Sequence, residues 1–210
     1  MASRLTLFYA AGANCNERVR WALDYKRVPF ELIDLDQPFD AARFAAASPF
    51  GRSPVMEVDG RPLSESMAML ELIEELHPEP PLTCADPWLR ARVREVCEAI
   101  NSSIHPVQNS SVVGRLRPDW DKAAMRPFRR EWIAENLNAL APKLWRESGY
   151  AVGERFSLAD ILVAVMARKA RALGGDALPA FEHHWQHLMA QPAVASSCPA
   201  SVRAEPPGSS

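Results

Sequence analysis

The stretch from Arg52 to Met67, Arg-Ser-Pro-Val-Met-Glu-Val-Asp-Gly-Arg-Pro-Leu-Ser-Glu-Ser-Met, constrains the fold more than any other part of this chain. Val55 to Val58 and Arg61 to Leu63 flank Asp59-Gly60, a dipeptide that readily takes the positive φ angles of a two-residue turn. The spacing therefore predicts a β-hairpin. A helix must follow at once, because Met67 to Leu76 supplies strong helix formers with apolar residues at helical spacing. Ser64-Glu65-Ser66 sits at its mouth. The first turn of a helix carries amide hydrogens without internal partners and with partial positive charge, so a small anion can dock there. Glu65 can meanwhile pair with an ammonium group, and a zwitterionic amino acid head satisfies both. Pro54 opens the hairpin and donates no ladder hydrogen bond, which leaves the backbone polar groups of Ser53 to a ligand alongside. An edge hairpin packed on a helix, with no ligand, fits the same residues.

Upstream, Leu5 to Tyr9 reads as a strand broken by Ala10-Ala11-Gly12-Ala13-Asn14. A helix is predicted from about Cys15 to Lys26, capped by Asn14 or Asn16, with Glu17 in its first turn and Val19, Ala22, Leu23 and the stem of Lys26 on one face. Val28-Pro29 ends it. Phe30 to Leu35 reads as a second strand, and Phe39 to Ala47 as a short helix cut off by Ser48-Pro49. The order β-α-β-α-β-β-α makes the first two strands parallel and adds an antiparallel pair, a four-stranded mixed sheet of thioredoxin-like type. Cys15 falls at the first turn of helix one, where the helix end lowers a thiol pKa or holds a thiolate supplied by a ligand. A free cysteine is equally at home as a small buried apolar residue. No Cys-X-X-Cys surrounds it, which argues against dithiol oxidoreductase chemistry.

Between His77 and Pro87 four prolines forbid a helix and make a stiff connector, so the boundary between a domain of residues 1–80 and one of residues 88–206 is placed there. The second domain reads as all-helical. Trp88 to Ser103 carries Leu89, Val93, Val96, Cys97, Ile100 and, just beyond, Ile104 on one stripe, interrupted by His105-Pro106. A long helix is predicted from about Met125 to Ser148, through Trp132, Leu137, Leu140, Leu144 and Trp145, with Gly149 to end it and a loose loop from Gly114 to Lys122 before it. Ser157 and Asp160 have the spacing of a reciprocal cap on the apolar helix from Ile161, which reads as the structural core of this domain. Phe181 to Met189 and Ala193 to Ser197 are shorter helical pieces, and the chain is expected to fray from Arg203.

The 210 residues are 48% apolar and 24% charged with a net charge of -2, so no global basic field exists to hold nucleic acid or an acidic membrane. No stretch approaches the ~20 apolar residues of a membrane span and the amino terminus has no signal-like core, so a cytoplasmic protein is expected. Cys15, Cys84, Cys97 and Cys198 are too scattered for a zinc site, and no metal is expected.

Cys15 with Arg18-Val19-Arg20-Trp21-Ala22-Leu23, Ser48-Pro49, Ser53-Pro54-Val55, Glu65-Ser66, Ile104-His105-Pro106-Val107-Gln108-Asn109 and Gly153 through Asp160 together resemble the glutathione transferase superfamily, and within it the zeta class. The resemblance spans residues 4–206. It implies that Glu65 and Ser66 hold the γ-glutamyl end of glutathione, and that Ser53 beside a cis Pro54, with Arg52 adjacent, meets its cysteinyl backbone. Zeta enzymes look like Ser-Ser-Cys at the sulfur site, whereas Ala13-Asn14-Cys15 stands here, so Asn14, Cys15 and the helix-one amides remain to hold the thiolate. The implied reaction is addition of that thiolate to the cis double bond of a maleyl group, rotation, and elimination to the fumaryl isomer without consumption of glutathione. Arg18 and His105 with Gln108 are the candidates for stabilising the enolate and the substrate carboxylates. The arginine that zeta enzymes carry near the end of the helix from Ile161 aligns with Ala172, leaving Arg171 one residue earlier, or Arg168 a turn earlier; both also read as solvated surface charges. A homodimer is implied as well. Conjugation or dehalogenation of small acids by the same thiolate, and a non-catalytic module with the same fold, are the competing functions.

Overall fold

Leu5–Tyr9 forms β1, and every one of its side chains is buried. That is the signature of an inner strand covered on both faces. The computed structural model describes residues 3–144, 148–176 and 178–204. After β1 come α1 (Asn14–Tyr25), β2 (Glu31–Asp34), α2 (Ala41–Ala47), β3 (Val55–Val58), β4 (Arg61–Ser64) and α3 (Ser66–Leu76). The sheet order is β2-β1-β3-β4, with β1 parallel to β2 and antiparallel to β3, and β3 antiparallel to β4. This is the mixed thioredoxin-like sheet. Asp59 and Gly60 take φ of 51° and 77°, the pair of positive angles that lets β3 turn directly into β4.

Side chains alternate across β1. Phe8 meets Phe44 of α2 at 5.8 Å between ring centroids, whereas Tyr9 turns to α1. Helices α1 and α3 pack together, and Val19, Trp21, Ala22 and Leu23 of α1 and Met69, Leu70 and Ile73 of α3 are all buried. Truncating any of the larger of these to alanine costs roughly 2–5 kcal/mol. Helix α1 ends before Val28-Pro29, as Arg27 swings to φ 55°.

The residues after α3 are tied down rather than simply stiff. The Lys26 ammonium, its side chain 0% exposed, meets the Glu74 carboxylate at 2.6 Å and donates to the carbonyls of His77 and Pro80, each at 2.7 Å. All three of its donors are thereby placed. Glu74 in turn accepts from the Leu82 amide at 3.0 Å. One compact unit runs through Leu82 and takes in Ser196–Arg203; the other comprises Thr83–Ala195 with Ala204.

The second unit contains α4 (Pro87–Glu98), a π-helical turn (Ala99–Ile104), α5 (His105–Gln108), α6 (Ser110–Leu116), α7 (Lys122–Leu140), a 3-10 turn (Ala141–Lys143), α8 (Leu158–Ala172), α9 (Pro179–Met189) and the start of α10 (Pro192–Ser197). A last helix, α11 (Ala200–Arg203), belongs to the first unit, and of the end expected to fray from Arg203, residues 205–210 lie outside the described residues. His105-Pro106 does not break the chain's helical course. The wider π-turn, closed by the His105 amide on the Ile100 carbonyl, absorbs the proline, and the Ile104 carbonyl is taken by Trp132 Nε1 at 3.1 Å. The loop expected over residues 114–122 shrinks to 117–121, because Asn109 caps α6 through the Ser111 amide at 3.0 Å. Helix α7 starts at Lys122, capped by Asp121, and stops at Leu140 because Pro142 has no amide to continue it. Trp145 lies outside the described residues. From Leu158 to Met166 α8 is buried on all sides, packed by α4, α7 and α9.

The Asp160 carboxylate closes the start of α8. It accepts from the Ser157 amide (2.8 Å) and hydroxyl (3.0 Å), from the Ala151 amide (2.6 Å) and from His184 Nε2 (2.8 Å). A fully buried carboxylate with four donors has no capacity left for chemistry, which agrees with the structural role read from the sequence.

Candidate functional site

Two polar helix starts of the first unit carry the residues singled out for ligand binding. At the first, Ala13 is the cap of α1 and offers no side-chain hydrogen bond, while Asn14, buried, and Cys15, half-buried, are its first two residues. The preceding loop is held from one turn along the helix. Asn16 Oδ1 accepts from the Ala10 amide at 3.0 Å, and Glu17 Oε1 accepts from the Gly12 amide at 2.5 Å. Neither Asn14 nor Asn16 caps α1 as expected; Asn16, fully buried, instead anchors the loop and donates through Nδ2 to Ser53 Oγ at 3.0 Å. Asn16 and Glu17 went unrecognised as site residues, since a polar side chain in a first turn reads as a cap or a solvated charge.

A tyrosine hydroxyl at the end of β1 is chemically suited to hold a thiolate, but Tyr9 is committed elsewhere. It donates to Glu17 Oε1 at 2.7 Å and lies 3.2 Å from Ser201 Oγ. Burial pushes its pKa up to about 12, with the neighbouring Glu17 carboxylate adding to the rise, so it stays protonated.

At the second start, the Ser53–Pro54 bond is cis and Ser53 is half-buried. The Arg52 backbone is clamped by Ser48, whose hydroxyl donates to the Arg52 carbonyl at 2.7 Å and accepts from its amide at 2.8 Å; the Arg52 side chain is exposed. Glu65 caps α3 without a side-chain bond, exposed and at φ 70°. A non-glycine residue held there stores strain of the kind that clusters at binding sites. Ser66 begins α3 and is 4% exposed.

The expected place of Arg18, at the mouth of the site facing a substrate, is corrected. It is 3% exposed, and its guanidinium donates through Nε (2.9 Å) and Nη2 to Ser66 Oγ and through Nη2 to Cys15 Sγ (3.3 Å). A charge on the buried face of α1 finds its partners inside the unit.

The other substrate candidates lie in the second unit. His105 is half-buried at the start of α5, and Gln108, one turn on, is buried. Arg129 of α7 donates through Nε to the Gln108 carbonyl (2.5 Å) and through Nη2 to Oε1 (3.3 Å). Burial lowers the Arg129 pKa below the usual arginine value, and the Arg126 charge lowers it further. Arg129 was missed because its run of arginines reads as a solvated face. The surface-charge reading of Arg168 and Arg171 is overturned. Arg171 pairs with Glu182 at 2.9 Å, and Arg168, buried, sits 4.9 Å from the Trp185 ring centroid and donates to the Ala204 carbonyl.

Residues 7–81 match the family described as Glutathione S-transferase, N-terminal domain, and residues 115–192 that described as Glutathione S-transferase, C-terminal domain. The chain is 32% identical over 206 residues to the maleylacetoacetate isomerase of Pseudomonas aeruginosa, covering 94% of this chain and 96% of that one. A crystal structure of maleylacetoacetate isomerase from Anaeromyxobacter dehalogenans, with glutathione bound in its active site, superimposes with a TM-score of 0.79 at 32% identity, covering 93% and 95% of the two chains. The holo structure of maleyl pyruvate isomerase, described as a bacterial zeta-class glutathione transferase, gives 0.82 at 26% identity, covering 93% and 97%.

Proposed function

This chain belongs to the glutathione S-transferase family, zeta class, and from that premise we propose that it is a glutathione-dependent cis-trans isomerase of maleylacetoacetate or a related maleyl acid. The observation that carries the reading is the start of α3, where an exposed, strained Glu65 stands beside a Ser66 hydroxyl fed by a buried arginine. The donor set fits the tripeptide's head: Glu65 takes the ammonium, while the Ser66 hydroxyl and the first amides of α3 take the carboxylate. Ser53, with Arg52 beside it and Pro54 in the cis form, presents its backbone to the cysteinyl portion.

Glutathione, when bound, supplies a thiolate able to add reversibly to a conjugated cis double bond. The chain's part is to hold negative charge on that sulfur, and with Ala13 lacking a hydroxyl, the amides at the start of α1 with Asn14 and Cys15 do this. Among the second unit's own candidates for a carboxylate, His105 and the pair Gln108–Arg129 stand ahead of Arg171, which is engaged by Glu182.

Incubation with glutathione and maleylacetone tests this: the cis isomer disappears while glutathione is undiminished. Stoichiometric loss of glutathione would instead favour conjugation or dehalogenation of small acids. Failure to bind glutathione in calorimetry leaves only a non-catalytic module. The same reading makes the protein a cytoplasmic homodimer. Among the described residues no helix is long and apolar enough to cross a membrane, and Phe50 and Trp88 are 76% and 74% exposed. Sedimentation showing only a 23.3 kDa species at micromolar concentration overturns the dimer.

A further inference from the structure

The loop that enters α1, Ala10-Ala11-Gly12-Ala13, carries no polar side chain, so nothing of its own can fix its course. It is pinned from the helix instead. Asn16 Oδ1 takes the Ala10 amide (3.0 Å) and Glu17 Oε1 the Gly12 amide (2.5 Å), while Gly12 stands at φ 73°. Two further contacts extend these pins. Asn16 reaches Ser53 Oγ beside the cis proline, and Tyr9, itself 3.2 Å from Ser201 of α11, donates its hydroxyl to Glu17 Oε1 at 2.7 Å. We propose that Glu17 is a positioning residue for the sulfur end of the site: by holding the Gly12 amide it sets how the loop delivers α1, and with it the aim of the amides assigned to the thiolate. The proposal rests on the glutathione reading above and deepens it.

What Glu17 leaves unmade identifies the role. It is 3% exposed, both donors converge on Oε1, and Oε2 is buried with no hydrogen-bond partner among the described residues. Arg20, nearly one turn on, pairs with Asp24 at 3.5 Å instead. A carboxylate kept for stability closes its network, as Asp160 does with four donors. One left half-satisfied in the interior is among the few rule-breaking positions that functional sites retain. An ionised oxygen makes the shorter and stronger bonds, so Gly12 is held more tightly than a neutral acceptor would hold it. The charge itself works the other way. A carboxylate in the first turns of α1 opposes a second anion at that helix start, so any help Glu17 gives the thiolate comes from geometry.

That opposition of sign supplies the test. Wild type and variants are saturated with glutathione, and the fraction of it present as thiolate at neutral pH is read from the ultraviolet absorbance. Glu17→Met fills the space but offers no oxygen to Gly12, and the thiolate fraction is expected to fall roughly three- to tenfold, the worth of a well-aimed helix start. Glu17→Gln keeps an acceptor and drops the charge, so its fraction should not fall below that of wild type. Melting curves identify the variants that fold, and Glu17→Ala replaces Glu17→Met if the latter does not. Were Glu17 to act through its charge alone, Glu17→Met would raise the fraction; were it only structural, both variants would melt earlier with the fraction unchanged. Either result overturns the proposal, as does a fraction in Glu17→Gln that falls as far as in Glu17→Met, or a wild type whose bound glutathione is no more ionised than free glutathione. A wild type that binds no glutathione in calorimetry removes the glutathione reading, and the proposal with it.

Discussion

The starts of α3 and α8 are both polar, both serine-bearing and both set in front of an apolar helix, yet they are finished in opposite ways. At α8 the chain satisfies itself: Asp160 gathers the Ser157 amide and hydroxyl, the Ala151 amide and His184, all of it buried. At α3 the nominal cap, Glu65, makes no side-chain cap bond, holds φ 70° and stays exposed, while the neighbouring hydroxyl is prepared by a cation from another helix. A helix start built for stability consumes its own donors. One built for a ligand accepts strain and keeps a carboxylate in reach of solvent.

That contrast breaks if substitutions at the two sites act alike. The largest effect is expected from Asp160→Ala, which strands buried donors from several segments and should lower stability by about 3–5 kcal/mol in a denaturant titration. Next comes Glu65→Gln, with a loss of roughly 10- to 100-fold in glutathione affinity by calorimetry and an unchanged melting curve, since the removed charge is exposed. Ser157→Ala should cost on the order of 1 kcal/mol, with glutathione affinity untouched. Glu65→Gly sharpens the comparison further: relief of the positive φ should raise stability by roughly 0.5–1 kcal/mol while binding falls, a trade no residue of the α8 cap can show.

The smallest effect concerns pH. The folded-state pKa of Tyr9 is raised to about 12 from an ordinary value near 10, so the folded protein holds this proton more tightly than the unfolded chain. The associated stability is whole below about pH 10 and is lost as pH rises from there toward 12. The melting temperature of wild type should therefore fall more steeply over that window than that of Tyr9→Phe. Parallel curves would show that Tyr9 does not titrate as its burial demands.

Legible in the sequence was whatever chain-local physics decides. Asp59-Gly60 declares its turn through the φ angles it tolerates, and Ser157 with Asp160 sits close enough in sequence for the cap to be written in spacing alone. The sheet followed from short strand-like runs bounded by turn residues and from the crossover rule. The unread features all depend on partners far along the chain. Asn16 and Glu17 look like an ordinary first turn until Ser53 and the Gly12 loop are folded against them. Lys26 passes for the stem on an apolar face until residues 74–80 surround its ammonium. Arg18, read as a substrate ligand, turned inward because Ser66 lies 48 residues away on the facing helix. Pro106 pointed to a break because periodicity arguments assume a constant helical pitch, which the turn over Ala99–Ile104 does not keep.

The return of Ser196–Arg203 to the first unit carries a consequence for biosynthesis. Trp21 Nε1 donates to Ser197 Oγ at 3.2 Å, a bond spanning 176 positions, and Tyr9 meets Ser201 across 192. The first strand and first helix of the first unit therefore gain these partners only after the chain has been synthesised through Ser201. Vectorial synthesis would let a leading unit mature alone; here the first unit is completed only after residues 83–195 of the second have been made.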